Sequence, residues 1–341
     1  MLRLISILCS LILILPSSAF QPGPDSSGKY WISSPASSLS LALIPYGASV
    51  TNLLYADLDL VAGYDNASTY AADPTHPHLG GIVGRYANRI RNSSFTMPEC
   101  PVDGEYGVCQ DAIYRVVPNE NPTEEHPDGI DTLHGGPDGW DYRMWSVLEH
   151  KAGSIKFGLV DPDGAMGFPG EVVAEVVYTV SEPGIWAFRI VARPTTKDAK
   201  TPIMLSSHVY WNLDGFQVVD NHSNHKGRYS DDGESTVLSG TIREHTLWMP
   251  DAKRRIAVDS ILIPTGEILD NTKEDANDFW SRPRSFGEGI DSAGAVGNCG
   301  AGCTGYGKPF YLSLALSLAL SLLLSLSLSL PPLGTFTFTV I

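Results

Sequence analysis

Three short stretches of this sequence gather side chains that can grip hydroxyl groups and move protons between them. In "GGIVGRYANRI", Gly80–Ile90, Arg85 and Arg89 stand four residues apart, with Asn88 beside the second arginine. A guanidinium fork and an amide together suit a ligand covered in hydroxyls. The glycines on their N-terminal side let backbone come close to such a ligand. In "DTLHGGPDGWDYRMW", Asp131–Trp145, His134 precedes two glycines, and Trp140, Tyr142 and Trp145 offer flat apolar faces. Sugars present apolar C–H faces that aromatic rings cover well. An aromatic core cluster is the alternative, and Trp145 is expected to be a core residue. In "SSHVYWNLDG", Ser206–Gly215, a strand would point His208 and Tyr210 to one face and Val209 and Trp211 to the other. Histidine is the usual acid or base near neutral pH.

Metal chemistry is not expected. His76-x-His78 and His222-x-x-His225 sit among loop residues, without a third or fourth ligand at metal-site spacing.

The elements that must hold these stretches are strands. Between residues 20 and 310 the apolar residues form short runs closed by Gly, Pro, Asn or Asp, as in Leu39–Ile44, Ile155–Val160, Glu171–Val180 and Ile185–Val191. The last two flank Ser181-Glu182-Pro183-Gly184, a hairpin signature. "VDSILIPTGEIL", Val258–Leu269, reads as an apolar strand ending in a Pro-Thr-Gly turn. Many short strands without long helical periodicity predict an antiparallel all-β protein, a sandwich or a barrel, in one domain.

The chain has 341 residues, 43% of them hydrophobic, and a formal net charge of −15. It carries no Lys/Arg block, so nucleic acid is not an expected partner. Residues 1–19 read as a signal peptide: Arg3 supplies the positive end, Leu4–Leu15 the apolar run, and Ser17-Ser18-Ala19 the small residues at a cleavage site. A secreted, extracellular protein is therefore expected. Export makes Cys100, Cys109, Cys299 and Cys303 candidates for disulfides, and proximity favours Cys100–Cys109 and Cys299–Cys303 among three connectivities. Sequons at Asn66, Asn92 and Asn221 fit the same compartment.

Together, "GRYANRI", "LHGG", "HVYWNL" and "IPTGEI", in this order and spacing, resemble the aldose 1-epimerase (galactose mutarotase) family over Tyr30 to Tyr306. The resemblance implies a large antiparallel β-sandwich, the galactose mutarotase-like supersandwich. It also implies a reaction, interconversion of the α and β anomers of a free hexose of the galactose or glucose type, with no cofactor or metal. Opening the ring takes the proton from the C1 hydroxyl and gives one to the ring oxygen, so an acid and a base are needed. His208 then matches the general acid and His134 a second histidine that binds and orients the sugar. Asn88 and Arg89 match sugar-binding residues, with Arg85 in support, and Tyr210 matches the aromatic residue that follows the acid.

The match fades at the C-terminal end. The family's general base is a glutamate near its C-terminus, and residues 307–341 contain no Asp or Glu. The chain as written is therefore expected to be impaired, with a non-catalytic carbohydrate-binding protein as the alternative. A phosphosugar epimerase on the same fold is disfavoured by export. The segment Leu312–Leu330 holds eleven Leu, six Ser and two Ala. Its length would just span a bilayer as a helix, a cleaved lipid-anchor tail is another reading, and its alternation fits a strand. Leu-Ser alternation is also what a CT repeat encodes, and Gly307-Lys308 can contain a splice-donor pattern. The preferred expectation is that residues 307–341 are translated intron, that 20–306 form the domain, that its last strands are missing, and that the tail is no membrane anchor.

Overall fold

The structure, a computed structural model, describes residues 20–34, 38–55, 58–99, 109–182, 184–196, 200–213, 215, 228–229, 235–236, 242–292, 310–311, 324–330 and 334–340. The expected all-β antiparallel architecture is present. One four-stranded sheet is a meander of β1 (Tyr30–Ser33), β2 (Leu39–Ile44), β3 (Ser49–Tyr55) and β4 (Leu58–Asp59). Five short strands follow: β5 (Ile82–Val83), β6 (Arg89–Ile90), β7 (Ser94–Glu99), β8 (Gln110–Arg115) and β9 (Thr132–Leu133). A second four-stranded meander joins β10 (Ser146–Lys151), β11 (Ser154–Asp161), β12 (Val172–Ser181) and β13 (Ile185–Pro194).

The alternation written in the sequence sets the layers. In β12, Val172, Ala174, Val176, Tyr178 and Val180 are buried, and every residue between them is less so. In β11 the same holds for Ile155, Phe157 and Leu159. These side chains share one core with Leu41, Leu43, Val50 and Leu53 of the first meander. Burying one such side chain contributes roughly 1.5–3 kcal/mol, so the two facing meanders hold each other. Tyr178 Oη donates to the Ala48 carbonyl at 2.9 Å, which gives a fully buried hydroxyl a partner across the layers. The β12–β13 turn is as expected: Ser181 pairs with Ile185, and Gly184 takes φ 110°.

One expectation is corrected. Val258–Leu269 is a hairpin rather than one strand: Arg254–Val258 pairs with Pro264–Asp270, and Pro-Thr-Gly opens the second strand instead of closing the first. Asp259 makes the break, because its carboxylate accepts from the Ile261 and Ile263 amides and turns the chain there. Within the Leu/Ser stretch, Leu324–Leu330 forms a strand paired with Thr246–Trp248 on one side and Gly334–Val340 on the other. Among the described residues no helix is long and apolar enough to cross a membrane. Trp145 is the core residue expected, edge-on to buried Trp140 with ring centres 5.8 Å apart.

Candidate active site

The "GGIVGRYANRI" stretch is the spine of the site, because it pairs with the two segments that carry the histidines. Its β5 pairs with β14 (Ser206–Ser207), Ser206 against Val83 and Ser207 against Ile82. The ladder runs on past β14: the His208 amide donates to the Gly81 carbonyl at 2.8 Å, and the Gly80 amide to the His208 carbonyl at 2.9 Å. At the other end, β6 pairs with β9, Arg89 against Leu133. Just beyond that pair, the His134 amide donates to the Asn88 carbonyl at 3.1 Å. Two ladders on one short segment thus bring residues 134 and 208 together. Gly135 permits the second approach, since at φ 92° an added Cβ would lie 2.0 Å from the Gly84 carbonyl oxygen.

The outcome is a triangle of imidazoles. His134 and His208 have ring centres 5.1 Å apart, and His78 completes the triangle at 4.8 Å from His134 and 5.5 Å from His208. Tyr210 leans on His208 at 5.1 Å, on the same side as expected. The Asn88 amide donates to His134 Nδ1 at 2.9 Å, so neutral His134 carries its hydrogen on Nε2. Burial, reinforced by the neighbouring charges of His78 and His208, pushes His134 down to about 3. His134 is therefore a neutral N–H donor across the working pH range. Burial first, then His78, also lowers His208. Such a histidine holds a proton less often but releases it more readily.

Asn88 and Arg89 are half-buried next to this triangle. Asn88 Oδ1 accepts from the Arg89 amide at 2.9 Å. Glu120 holds the Arg89 guanidinium at 2.7 Å.

Arg85 is a correction. Its side chain is wholly buried, paired to Asp161 at 2.7 Å and bonded to the carbonyls of Pro169 and Gly170 and to Thr201 Oγ1. Its donors are used up inside the protein, so it braces the spine and does not meet a sugar. Trp140 belongs to the same brace, donating from Nε1 to Asp161 at 2.8 Å.

His76-x-His78 has a partner that its local spacing did not show. A third group joins them from far along the chain: Asp141 Oδ2 lies 2.8 Å from His76 Nε2 and 2.6 Å from His78 Nδ1. The three offer metal-ligand atoms within 4.8 Å of one another. As placed, both contacts are hydrogen bonds to one carboxylate oxygen. Burial would raise the Asp141 carboxyl, but the bonds from His76 and His78 outweigh it and hold the group below the usual range. The sequence signal is Asp141 itself, set among the aromatic residues of "GWDYRMW". His76 also stacks on Tyr142 at 3.5 Å, so that ring faces a histidine rather than open pocket. His222 and His225 lie outside the described residues.

Asn66 and Asn92 are exposed, as sequons require, while Asn221 lies outside the described residues. Cys109 is disulfide-bonded. Cys100, Cys299 and Cys303 lie outside the described residues.

The β-sandwich gathers imidazoles of differing proton states at the ends of short strands, beside an amide and an aromatic ring, and so defines a class of protein with proton-donating and proton-accepting groups in one site. The particular family follows from comparison. Residues 30–313 match the aldose 1-epimerase family, and the chain belongs to it. It is similar to a probable aldose 1-epimerase of Arthroderma benhamiae, 36% identical over 296 residues, covering 81% of this chain and 57% of that protein. A galactose mutarotase of Bos taurus is 30% identical over 235 residues, covering 67% of this chain and 54% of its own. The solved structure of an aldose epimerase homologue from C. elegans superposes with a TM-score of 0.62 at 25% identity, covering 89% of this chain and 75% of that one. The chain thus spans a little over half the length of these two curated relatives.

Proposed function

We propose that the protein binds a free hexose over the His134–His208 pair and interconverts its anomers. The observation that carries this is the pair's opposed proton roles: His134 locked as a neutral N–H donor by the Asn88 amide, His208 half-buried with a lowered proton affinity. His134 Nε2–H holds a ring or hydroxyl oxygen. His208 gives its proton to the ring oxygen as the C1–O bond opens and the C1 hydroxyl proton leaves to a base, and both transfers reverse when the aldehyde, turned about C1–C2, recloses on the other face. Tyr210 lies along one edge of the sugar, while Asn88 and Arg89 hold hydroxyls. No step calls for a redox change, and every group named is one of the chain's own side chains.

The names of the relatives support the reaction class, and glucose or galactose is the reading for the hexose. The apolar N-terminal run, exposed Asn66 and Asn92 and the bonded Cys109 support action outside the cell.

Polarimetry of freshly dissolved α-glucose and α-galactose tests the reading. Acceleration over the spontaneous rate, lost in His208→Ala, is the expected result. Saturable binding without acceleration would favour the non-catalytic carbohydrate-binding alternative. Neither binding nor acceleration would overturn the reading.

A further inference from the structure

Asp141 is a buried carboxylate, 1% exposed, and among the described residues no Lys or Arg pairs with it. Its partners are two imidazoles, His76 at 2.8 Å and His78 at 2.6 Å, and both donate to one oxygen, Oδ2. The other oxygen, Oδ1, is buried and has no hydrogen-bond partner among the described residues. Buried charges are normally paired or bound to metal, and a buried acceptor without a donor is costly.

The chain is bent to gather this cluster. His76 takes φ 36° and His78 φ 58°, left-handed conformations that are uncommon outside glycine. Asp141 fits tightly against the start of the spine, since a Cβ on Gly81 would lie 2.9 Å from its own Cβ. His76 Nε2, His78 Nδ1 and an Asp141 carboxylate oxygen lie within 4.8 Å of one another. A cavity of about 10 Å³, walled also by Tyr46 and Tyr70, adjoins them and has room for about one water.

We propose that His76, His78 and Asp141 bind a divalent transition-metal ion of the zinc class, with the adjoining cavity supplying a fourth position for water. Two imidazoles and a carboxylate suit Zn²⁺ and its neighbours, whereas Ca²⁺ and Mg²⁺ prefer oxygen alone. The ion answers the Asp141 charge, and a carboxylate that grips it through both oxygens gives Oδ1 its partner. Bonds of about 2.0–2.2 Å hold neighbouring donors ~3.3 Å apart, so each imidazole draws back from Oδ2 by roughly 0.5–0.7 Å to admit the ion. The protons balance. Each nitrogen that donates to Oδ2 must offer a lone pair instead, so the hydrogen moves to the other nitrogen of its ring, Nδ1 of His76 and Nε2 of His78. Neither ring changes charge. The ion fastens the loop of residues 76–78 to the turn that carries Asp141. It takes no part in anomer interconversion, and the proposal does not rest on that reading.

Zn²⁺ is the probe. Calorimetric titration of the native protein should show saturable binding, and Tm should rise with Zn²⁺ concentration. His76→Phe keeps a ring to stack on Tyr142 but removes a ligand. It should weaken Zn²⁺ binding by more than the roughly 10–100-fold that loss of an outer partner costs. Should that variant fail to fold, nitrogen-15 NMR of the native imidazoles decides the question. Zn²⁺ should move the His78 hydrogen from Nδ1 to Nε2 and the His76 hydrogen from Nε2 to Nδ1. Three results would each overturn the proposal: hydrogens that stay in place under excess Zn²⁺, no binding at millimolar Zn²⁺, or undiminished binding in folded His76→Phe. The last would put the ion on the rival His222-x-x-His225 or elsewhere on the acidic chain.

Discussion

The amide of Asn88 donates to Nδ1 of His134 at 2.9 Å, while the His134 amide donates to the carbonyl of Asn88 at 3.1 Å. This reciprocal pair fixes both the place and the tautomer of the imidazole. Asn88 sits at φ 64° and His134 at φ 53°, left-handed conformations that both residues hold at the end of the β6–β9 ladder. His134→Phe keeps a ring but removes the donor. One net hydrogen bond is worth about 1 kcal/mol, so hexose Kd should rise about fivefold or more. Calorimetric titration of the variant checks it.

Acid should destabilise the protein earlier than its exposed carboxylates require. His134 is held down at about 3 in the folded state, and His208 is also lowered, whereas an unfolded histidine titrates near 6.5. Below about 6.5 the unfolded chain takes up protons that the folded chain refuses, so stability falls with pH. For His134 the loss continues to about 3. Asp141, depressed by His76 and His78, adds a loss of the same sign lower down. Thermal unfolding should show Tm dropping between pH 7 and 5, and more steeply below. His134→Phe should flatten the upper part of that slope.

Arg85→Met should be a stability variant. It leaves Asp161 3% exposed, with Arg143 at 3.2 Å and the Trp140 indole as remaining partners. Breaking a buried pair from one side costs about 3–5 kcal/mol. Urea unfolding should show that loss, with hexose affinity nearly unchanged where the protein is folded. Weakened binding at native stability would return Arg85 to the list of sugar contacts.

Gly135→Ala tests the approach of the two ladders. The new methyl would lie 2.0 Å from the Gly84 carbonyl oxygen, at a φ of 92° that alanine disfavours. Both strain and clash act on the loop that carries His134, so Tm should fall and kcat with it. A wild-type Tm would show that the loop can move off the spine.

We propose that Cys109 is bonded to Cys100. The motive is the bonded state of Cys109, the short spacing to Cys100 and the proposed action outside the cell. A loop this small contributes about 2–3 kcal/mol through the unfolded state. Peptide mapping of secreted protein without reduction should recover the two in one linked fragment, and free Cys100 thiol would refute the pairing.

The sequence by itself determined the β-architecture, because period-2 burial is written residue by residue in runs such as Val172–Val180. It also marked His134, His208, Asn88, Arg89 and Tyr210, whose chemistry is visible from their types and neighbours. Tertiary structure alone decided the rest. Arg85 and Arg89 look alike in the sequence, four residues apart. Only folding places one against buried Asp161 and the other, half-buried, against Glu120. The break at Asp259 needed the carboxylate's bonds to amides two and four residues on. The partnership of His78 with Asp141 spans 63 positions and depends on a turn packed against Gly47 and Gly81. Local periodicity records which face of a strand meets the core. It carries no record of which distant carboxylate will meet a given imidazole, because that contact is made by the packing of layers rather than by neighbours in the chain.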